Sequence, residues 1–194
     1  IQYFIEDMQI PKFTLVGSSY SGYLAAQYAA HQHPEKIEKL ILMSPMGFEQ
    51  ELPWILNYVT TPGMDIFNTY VQPTSVITTI VDNFYGDKTL LNRATLDRYI
   101  HLAQSDGAHE SNVRQLLFVR SLMELGMLLD LDEIIAPTLV MWGGEDKWGK
   151  LDHAQRWVDA LGNATKVIYD FNGHALMEEL PEETVTDVIA FIND

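Results

Sequence analysis

Residues 13–31 read FTLVGSSYSGYLAAQYAAH, and the change of character at Gly17 decides the fold. Phe13–Val16 is a short apolar, β-branched run, the pattern of a buried strand in a parallel sheet. After Gly17 and a cluster of serines the chain turns Ala-rich and helical in pattern, until His33-Pro34 stops it. Lys39–Met43 is then a second buried-strand candidate. Strand, turn, helix and strand in that order make one βαβ unit, which favours a parallel sheet.

Upstream, residues 1–9 are helix-like and Pro11 interrupts them. Downstream, residues 45–134 hold several amphipathic helical patterns, broken at Pro62-Gly63, Pro73, Tyr85-Gly86-Asp87 and Asp106-Gly107, with no convincing buried strand. Pro137–Trp142 and Lys166–Tyr169 give a third and a fourth strand. Between them Leu151, Ala154, Val158 and Leu161 share one helical face. Pro181 opens a last helix, with Val185, Val188, Ile189 and Ile192 spaced as an apolar stripe. The expected layout is an α/β core over residues 1–44 and 135–194, interrupted by a helical insertion over 45–134.

Hydrophobic residues at 47% and charged residues at 20% fit a globular chain and argue against disorder. Lys and Arg number 12 against 27 Asp and Glu, a net charge of −15. Such a surface repels phosphate backbones, which excludes nucleic acid as the expected partner. No apolar run is long enough to span a bilayer. The absence of cysteine removes disulfides, thiolate catalysis and zinc–thiolate sites together. It leaves the cytoplasm as a default location only.

Gly17-Ser18-Ser19-Tyr20-Ser21-Gly22 lies between the first strand and its helix. A serine nucleophile on a sharp strand-to-helix turn needs small residues two positions before and after it, because those neighbours come close together. Ser18 is flanked by Val16 and Tyr20, and Ser21 by Ser19 and Tyr23. Ser19, flanked by Gly17 and Ser21, satisfies the rule. On such a turn the backbone N–H of Tyr20 points to where an oxyanion develops. An ordinary serine-rich turn capping a helix is the competing reading.

Serine is a weak nucleophile at neutral pH and needs a base oriented by a carboxylate. Asp146 follows the third strand in a Gly-rich turn, with Glu145 as its neighbour and rival. His174 follows Gly173 after the fourth strand. Of the other histidines, His31 and His33 read as surface residues or a bare metal pair, His101 and His109 fall in the helical insertion, and His153 begins a helix. Ser19, Asp146 and His174 each fall at a strand's C-terminal end, the edge where open α/β sheets place their sites.

LVGSSYSGYLAAQYAAHQHPEKIEKLILMSP (15–45) resembles the nucleophile turn, helix and next strand of the α/β-hydrolase superfamily. APTLVMWGGEDKW (136–148) is similar to that family's acid strand and turn, and DFNGHALMEELPEETVTDVIAFI (170–192) to its histidine loop and final helix. FYGDKTLLNRATLDRYIHLAQ (84–104) sits where the family carries a helical cap. The resemblance implies Ser19 as nucleophile, Asp146 as acid and His174 as base. It also departs in places: Ser21 replaces the usual second glycine, and the acid turn EDKWGK lacks its common proline beside Trp148. The family's first strands would precede Ile1 and carry the second oxyanion donor. The resemblance therefore implies a chain whose Phe13–Val16 strand leaves an open edge and whose isolated activity is impaired, with a second chain or segment as the partner that completes the sheet.

The expected function is hydrolysis of a small ester or thioester through an acyl-Ser19 intermediate. A carbon–carbon bond hydrolase, an acyltransferase and a non-catalytic small-molecule receptor are the alternatives. Hydrolases of meta-cleavage products usually carry Trp after the histidine, where this chain has Ala175. Ser18, Trp54, Phe84 and Trp148 are the expected substrate-binding residues, with Met64, Phe67, Tyr85 and Phe118 as further candidate walls. The partner is a small acyl substrate, and no metal or organic cofactor is called for.

Overall fold

A computed structural model describes residues 1–51, 53–127 and 129–194. Four strands, β1 (Phe13–Ser18), β2 (Ile37–Met43), β3 (Thr138–Gly143) and β4 (Ala164–Tyr169), pair in parallel in the order β1-β2-β3-β4. The register sets Ser18 opposite Met43, Met43 opposite Met141, and Gly143 opposite Tyr169. Pairing continues one residue beyond the strands. Ser19 N–H donates to the Met43 carbonyl at 2.9 Å, Ser44 N–H to Met141 at 2.8 Å and Gly144 N–H to Tyr169 at 2.8 Å. The loops that leave the C-terminal edge are thus fixed at their roots, and that edge is where all three site candidates emerge.

Strand alternation divides the core into two faces. Leu40, Leu42, Val140 and Trp142 point to one, packed on α1 (Gln2–Asp7), α2 (Tyr20–His31) and α8 (Asp152–Ala160) through Ile5, Ala25, Ala26, Ala29 and Trp157. Ile41, Met43, Leu139 and Met141 point to the other, covered by Leu176 of α9 (Leu176–Glu179) and by Val188 and Phe191 of α10 (Pro181–Asn193). The alanines of α2 let that helix lie close against the sheet, and His33, in the left-handed region at φ 53°, ends the connection before Pro34.

Five helices connect β2 to β3: α3 (Trp54–Thr60), α4 (Met64–Tyr70), α5 (Thr74–Phe84), α6 (Arg93–Ala103) and α7 (Ala108–Glu124). Their boundaries fall at the Pro/Gly breaks read from the sequence, and no strand occurs there among the described residues. Asn92 caps α6 by accepting the Thr95 N–H at 3.0 Å.

Two expectations change. The Phe13–Val16 run is half-buried, not buried as its apolar pattern alone suggests, because β1 lies at the sheet edge that the resemblance implied, and Val16 is 51% exposed. In α10 the residues that meet the sheet are Val188 and Phe191, while Val185, Ile189 and Ile192 stay largely exposed. The helix has two adjacent apolar stripes, and periodicity alone does not say which one faces the sheet. No helix among the described residues is long and apolar enough to cross a membrane.

Trp142 is fully buried where β3 meets α8. Trp142→Ala should lower unfolding free energy by about 3–5 kcal/mol, the usual cost of emptying such a site, as read from urea denaturation. A loss below about 1 kcal/mol would contradict the packing described.

Candidate active site

Ser19 joins β1 to α2 with φ 53° and ψ −123°, a conformation that ordinarily costs a non-glycine residue about 1–3 kcal/mol. The surroundings hold it there. Its N–H donates to Met43, and its carbonyl accepts the N–H groups of Gly22, Tyr23 and Met46 at 3.0–3.2 Å. A Cβ on Gly17 would lie 2.5 Å from the Ser21 carbonyl oxygen and 2.8 Å from the Ala25 Cβ, so glycine is required there by close approach. The small-neighbour rule thus has a physical counterpart at residue 17, where the partner is the Ser21 backbone. Tyr20 opens α2, so no carbonyl within the helix takes its N–H.

Asp146 and His174 meet across the next loops. His174 Nδ1 and Asp146 Oδ2 share a hydrogen bond of 2.8 Å, and the Asp146 carboxylate is fully shielded from solvent. Its other oxygen accepts the N–H groups of Trp148 at 2.7 Å and Gly149 at 3.0 Å. Burial alone would push the Asp146 carboxyl up. The hydrogen bond and electrostatic attraction of His174, with the two backbone donors, outweigh it and hold the group below its ordinary value. An ionised carboxylate only accepts, so Nδ1 carries the proton and Nε2 of the neutral imidazole is left as an acceptor. Glu145, the rival, is exposed, and its N–H is bound to the Asn172 carbonyl.

The loop bearing His174 is wedged against the end of α5. The N–H groups of His174 and Ala175 both donate to the Phe84 carbonyl, at 2.7 and 3.1 Å. A Cβ on Gly173 would lie 2.4 Å from the Gly86 nitrogen, so the two backbones touch directly. Buried Glu179 accepts from Gly173 N–H at 2.7 Å, Gly86 N–H at 3.0 Å and Asp87 N–H at 3.2 Å. Sequence reading missed Glu179, because its role lies in which backbone groups it reaches.

Ser19 and His174 line a common cavity of about 360 Å³, together with Ser18, Tyr20, Phe84 and Trp148. Phe84 stacks on the His174 ring at 5.8 Å and meets Trp148 at 5.0 Å. Trp54 does not join them. It stands at the start of α3, 64% exposed, in a surface groove beside Tyr58 and Ser75. Phe118 packs edge-on against Tyr20 outside the lining, and Tyr85 is buried with its hydroxyl on Glu178. Met46, Leu56 and Met177 are also in the wall, unmarked in the sequence because nothing distinguishes them from core residues. His31 pairs with Asp130, and His33 with Glu35. No cluster of three or more potential metal-ligating His, Asp or Glu side chains occurs among the described residues.

A family model described as the alpha/beta hydrolase fold matches residues 1–181. The chain belongs to the alpha/beta hydrolase fold family. It is 26% identical over 182 residues to a 2-hydroxy-6-oxo-6-phenylhexa-2,4-dienoate hydrolase of Comamonas testosteroni, covering 92% of this chain and 62% of that protein. A Burkholderia cepacia hydrolase of the same name is 28% identical, with 88% of this chain and 59% of the relative aligned. The chain thus spans about three-fifths of the length of these relatives. Among solved structures, the enzyme of that name from a Rhodococcus strain superposes with a TM-score of 0.81 at 17% identity, over 98% of this chain and 67% of that one. An esterase from Exiguobacterium antarcticum gives 0.78 at 17%, over 98% and 70%. At such identities the structures speak for the hydrolase fold alone.

The lowered Asp146 carboxyl has a pH signature. A group whose folded pKa lies below its unfolded value contributes stability above the unfolded pKa and loses it as pH falls through the folded one. The stability gap between the wild-type protein and Asp146→Asn should hold from neutral pH down to about pH 5 and close only below the ordinary carboxylate value of about 3.9. Denaturant unfolding across pH checks this; a gap already closed at pH 5 would contradict it.

Proposed function

We propose that this chain carries the acyl-transfer site of a serine hydrolase, with Ser19 as nucleophile, His174 as general base and acid, and Asp146 as the carboxylate that orients it. The observation that carries this is the buried His174–Asp146 hydrogen bond opening onto the cavity that strained Ser19 also lines. Ser19 Oγ attacks the substrate carbonyl while His174 Nε2 takes its proton. The carbonyl oxygen becomes an oxyanion facing the Tyr20 N–H. Collapse breaks the bond to the leaving alcohol, which receives the proton from His174. Water, deprotonated by the same imidazole, then releases the acid and restores Ser19. Residues 45–134 act as a cap over this site, bringing Phe84 against it, while Ser18 and Trp148 border the acyl group from the core side.

A neutral ester or thioester fits best. No lysine or arginine lines the three cavities around Ser19, His174 and Trp148 among the described residues, so a substrate carboxylate would find no cation there. Carbon–carbon bond hydrolysis is the second reading, favoured by the relatives named for dienoates. The outer edge of β1, with Val16 exposed, is where a further strand from another segment or chain would pair and bring a second oxyanion donor.

Ser19→Ala and His174→Ala should each lower kcat/KM for neutral p-nitrophenyl esters by at least ~10⁴-fold in the whole protein. A fluorophosphonate probe should label Ser19 and nothing else. Absence of labelling would favour a receptor, and faster turnover of a 2-hydroxy-6-oxo-dienoate than of any neutral ester would favour the second reading.

A further inference from the structure

The loop that carries His174 is gripped by backbone from two sides. On the core side the Asn172–Gly173 peptide lies against the end of β3. A Cβ on Gly143 would overlap the Gly173 and Asn172 carbonyl oxygens, and the Glu145 N–H donates to the Asn172 carbonyl at 2.9 Å. On the other side is the turn that follows α5. A Cβ on Gly86 would stand 2.6 Å from the Gly173 nitrogen, and the Phe84 carbonyl takes the N–H groups of His174 and Ala175. The first grip belongs to the sheet. The second comes from the inserted helices, and Glu179 is what the N–H groups of its turn meet.

Glu179 reaches both segments at once. One carboxylate oxygen accepts the Gly173 N–H, and the other accepts those of Gly86 and Asp87. Its own N–H donates to the Ala175 carbonyl at 3.0 Å, so the side chain closes residues 173–179 into a compact loop around His174. The residue is only 5% exposed. A buried charge is a costly way to fill space, so the function of this one lies in what it joins. The junction needs two acceptor atoms aimed at two different segments. An amide of the same shape offers one acceptor and one donor, and whichever way it turns, its NH2 faces a backbone N–H.

We propose that Glu179 is a positioning residue, which sets the His174 ring against Asp146 and Ser19 by locking the histidine loop to the turn after α5. Its effect on turnover rests on the serine-hydrolase reading, whereas its effect on the His174–Asp146 hydrogen bond does not. Glu179→Gln in the whole protein should fold, because it keeps the volume and leaves the grip of the sheet in place. Its kcat for a neutral p-nitrophenyl ester should fall about 10- to 100-fold, the scale of a small misplacement of a catalytic group. KM should stay within about twofold, since the restraint acts on the reacting group and not on substrate binding. In protein labelled with 15N-histidine, the Nδ1–H of His174 should exchange with water about tenfold faster than in the wild type, the loss of roughly one hydrogen bond of restraint.

A side chain that merely fills space would change stability and leave both readouts alone. In a folded Glu179→Gln protein, an unchanged kcat or an unchanged Nδ1–H exchange rate overturns the proposal, and so does a rise in KM that accounts for the whole loss. If that variant does not fold, amide exchange in the wild-type protein decides. The N–H groups of Gly173, Gly86 and Asp87 should exchange slowly and at one common rate, as a single unit; rapid exchange at Gly86 and Asp87 with Gly173 protected overturns it. Absence of ester turnover by the wild-type protein, with the difference in Nδ1–H exchange present, would sink the serine-hydrolase reading and leave the positioning role standing.

Discussion

The carboxylate of Glu179 holds together two parts of the chain that are far apart in sequence. It is buried, and it accepts backbone N–H groups from Gly173, beside His174, and from Gly86 and Asp87, in the turn that follows α5. Three donors to one ionised group form a charge-assisted arrangement, stronger than neutral pairs would give. Gly86 and Gly173 can approach this closely only because neither has a side chain. The consequence is that the imidazole loop and the end of α5 form one unit. Phe84, the last residue of α5, supplies the carbonyl that fixes His174 and the ring that stacks on it.

Strain and restraint are divided between the two sides of the site. Ser19 sits in a costly backbone conformation, and four backbone hydrogen bonds to Met43, Gly22, Tyr23 and Met46 over-determine it. His174 is restrained through its partners, Asp146 on the ring and Phe84 on the backbone. Asp146 is in turn fixed by the N–H groups of Trp148 and Gly149. Little of this geometry depends on flexible side chains, so proximity can be set by the fold before a substrate arrives.

Much of the fold was legible because its signals are local. The four strands are apolar runs bounded by Gly and Pro, and every break read between residues 60 and 110 falls between observed helices. The choice of Ser19 over Ser18 and Ser21 rested on a steric rule, and a Cβ on Gly17 would meet the Ser21 backbone oxygen, a limit that applies to residue 17. What stayed illegible depends on rotation or distance. The face α10 turns to the sheet and the exposure of Trp54 are each set by tertiary packing. Glu179 carries no pattern at all: its role is defined by three distant N–H groups.

Glu178, next along the helix from Glu179, shapes the chemistry of the cavity in a different way. Its carboxylate accepts from the Tyr85 hydroxyl at 2.8 Å, the Tyr99 hydroxyl at 2.9 Å and the Arg98 guanidinium at 2.7 Å. Burial and the adjacent carboxylate push Tyr85 up and Tyr99 up to about 12, so both remain protonated donors. Arg98 adjoins Tyr99, a residue of the cavity wall, and its charge is matched by Glu178 rather than turned to the cavity. With a net charge of −15 around it, the site offers a substrate apolar walls, a few neutral polar groups and one imidazole. An anion would have to shed its hydration with no Lys or Arg among the described residues that line these cavities. On the proposed reading, selectivity for an uncharged acyl group follows from where this one arginine is held.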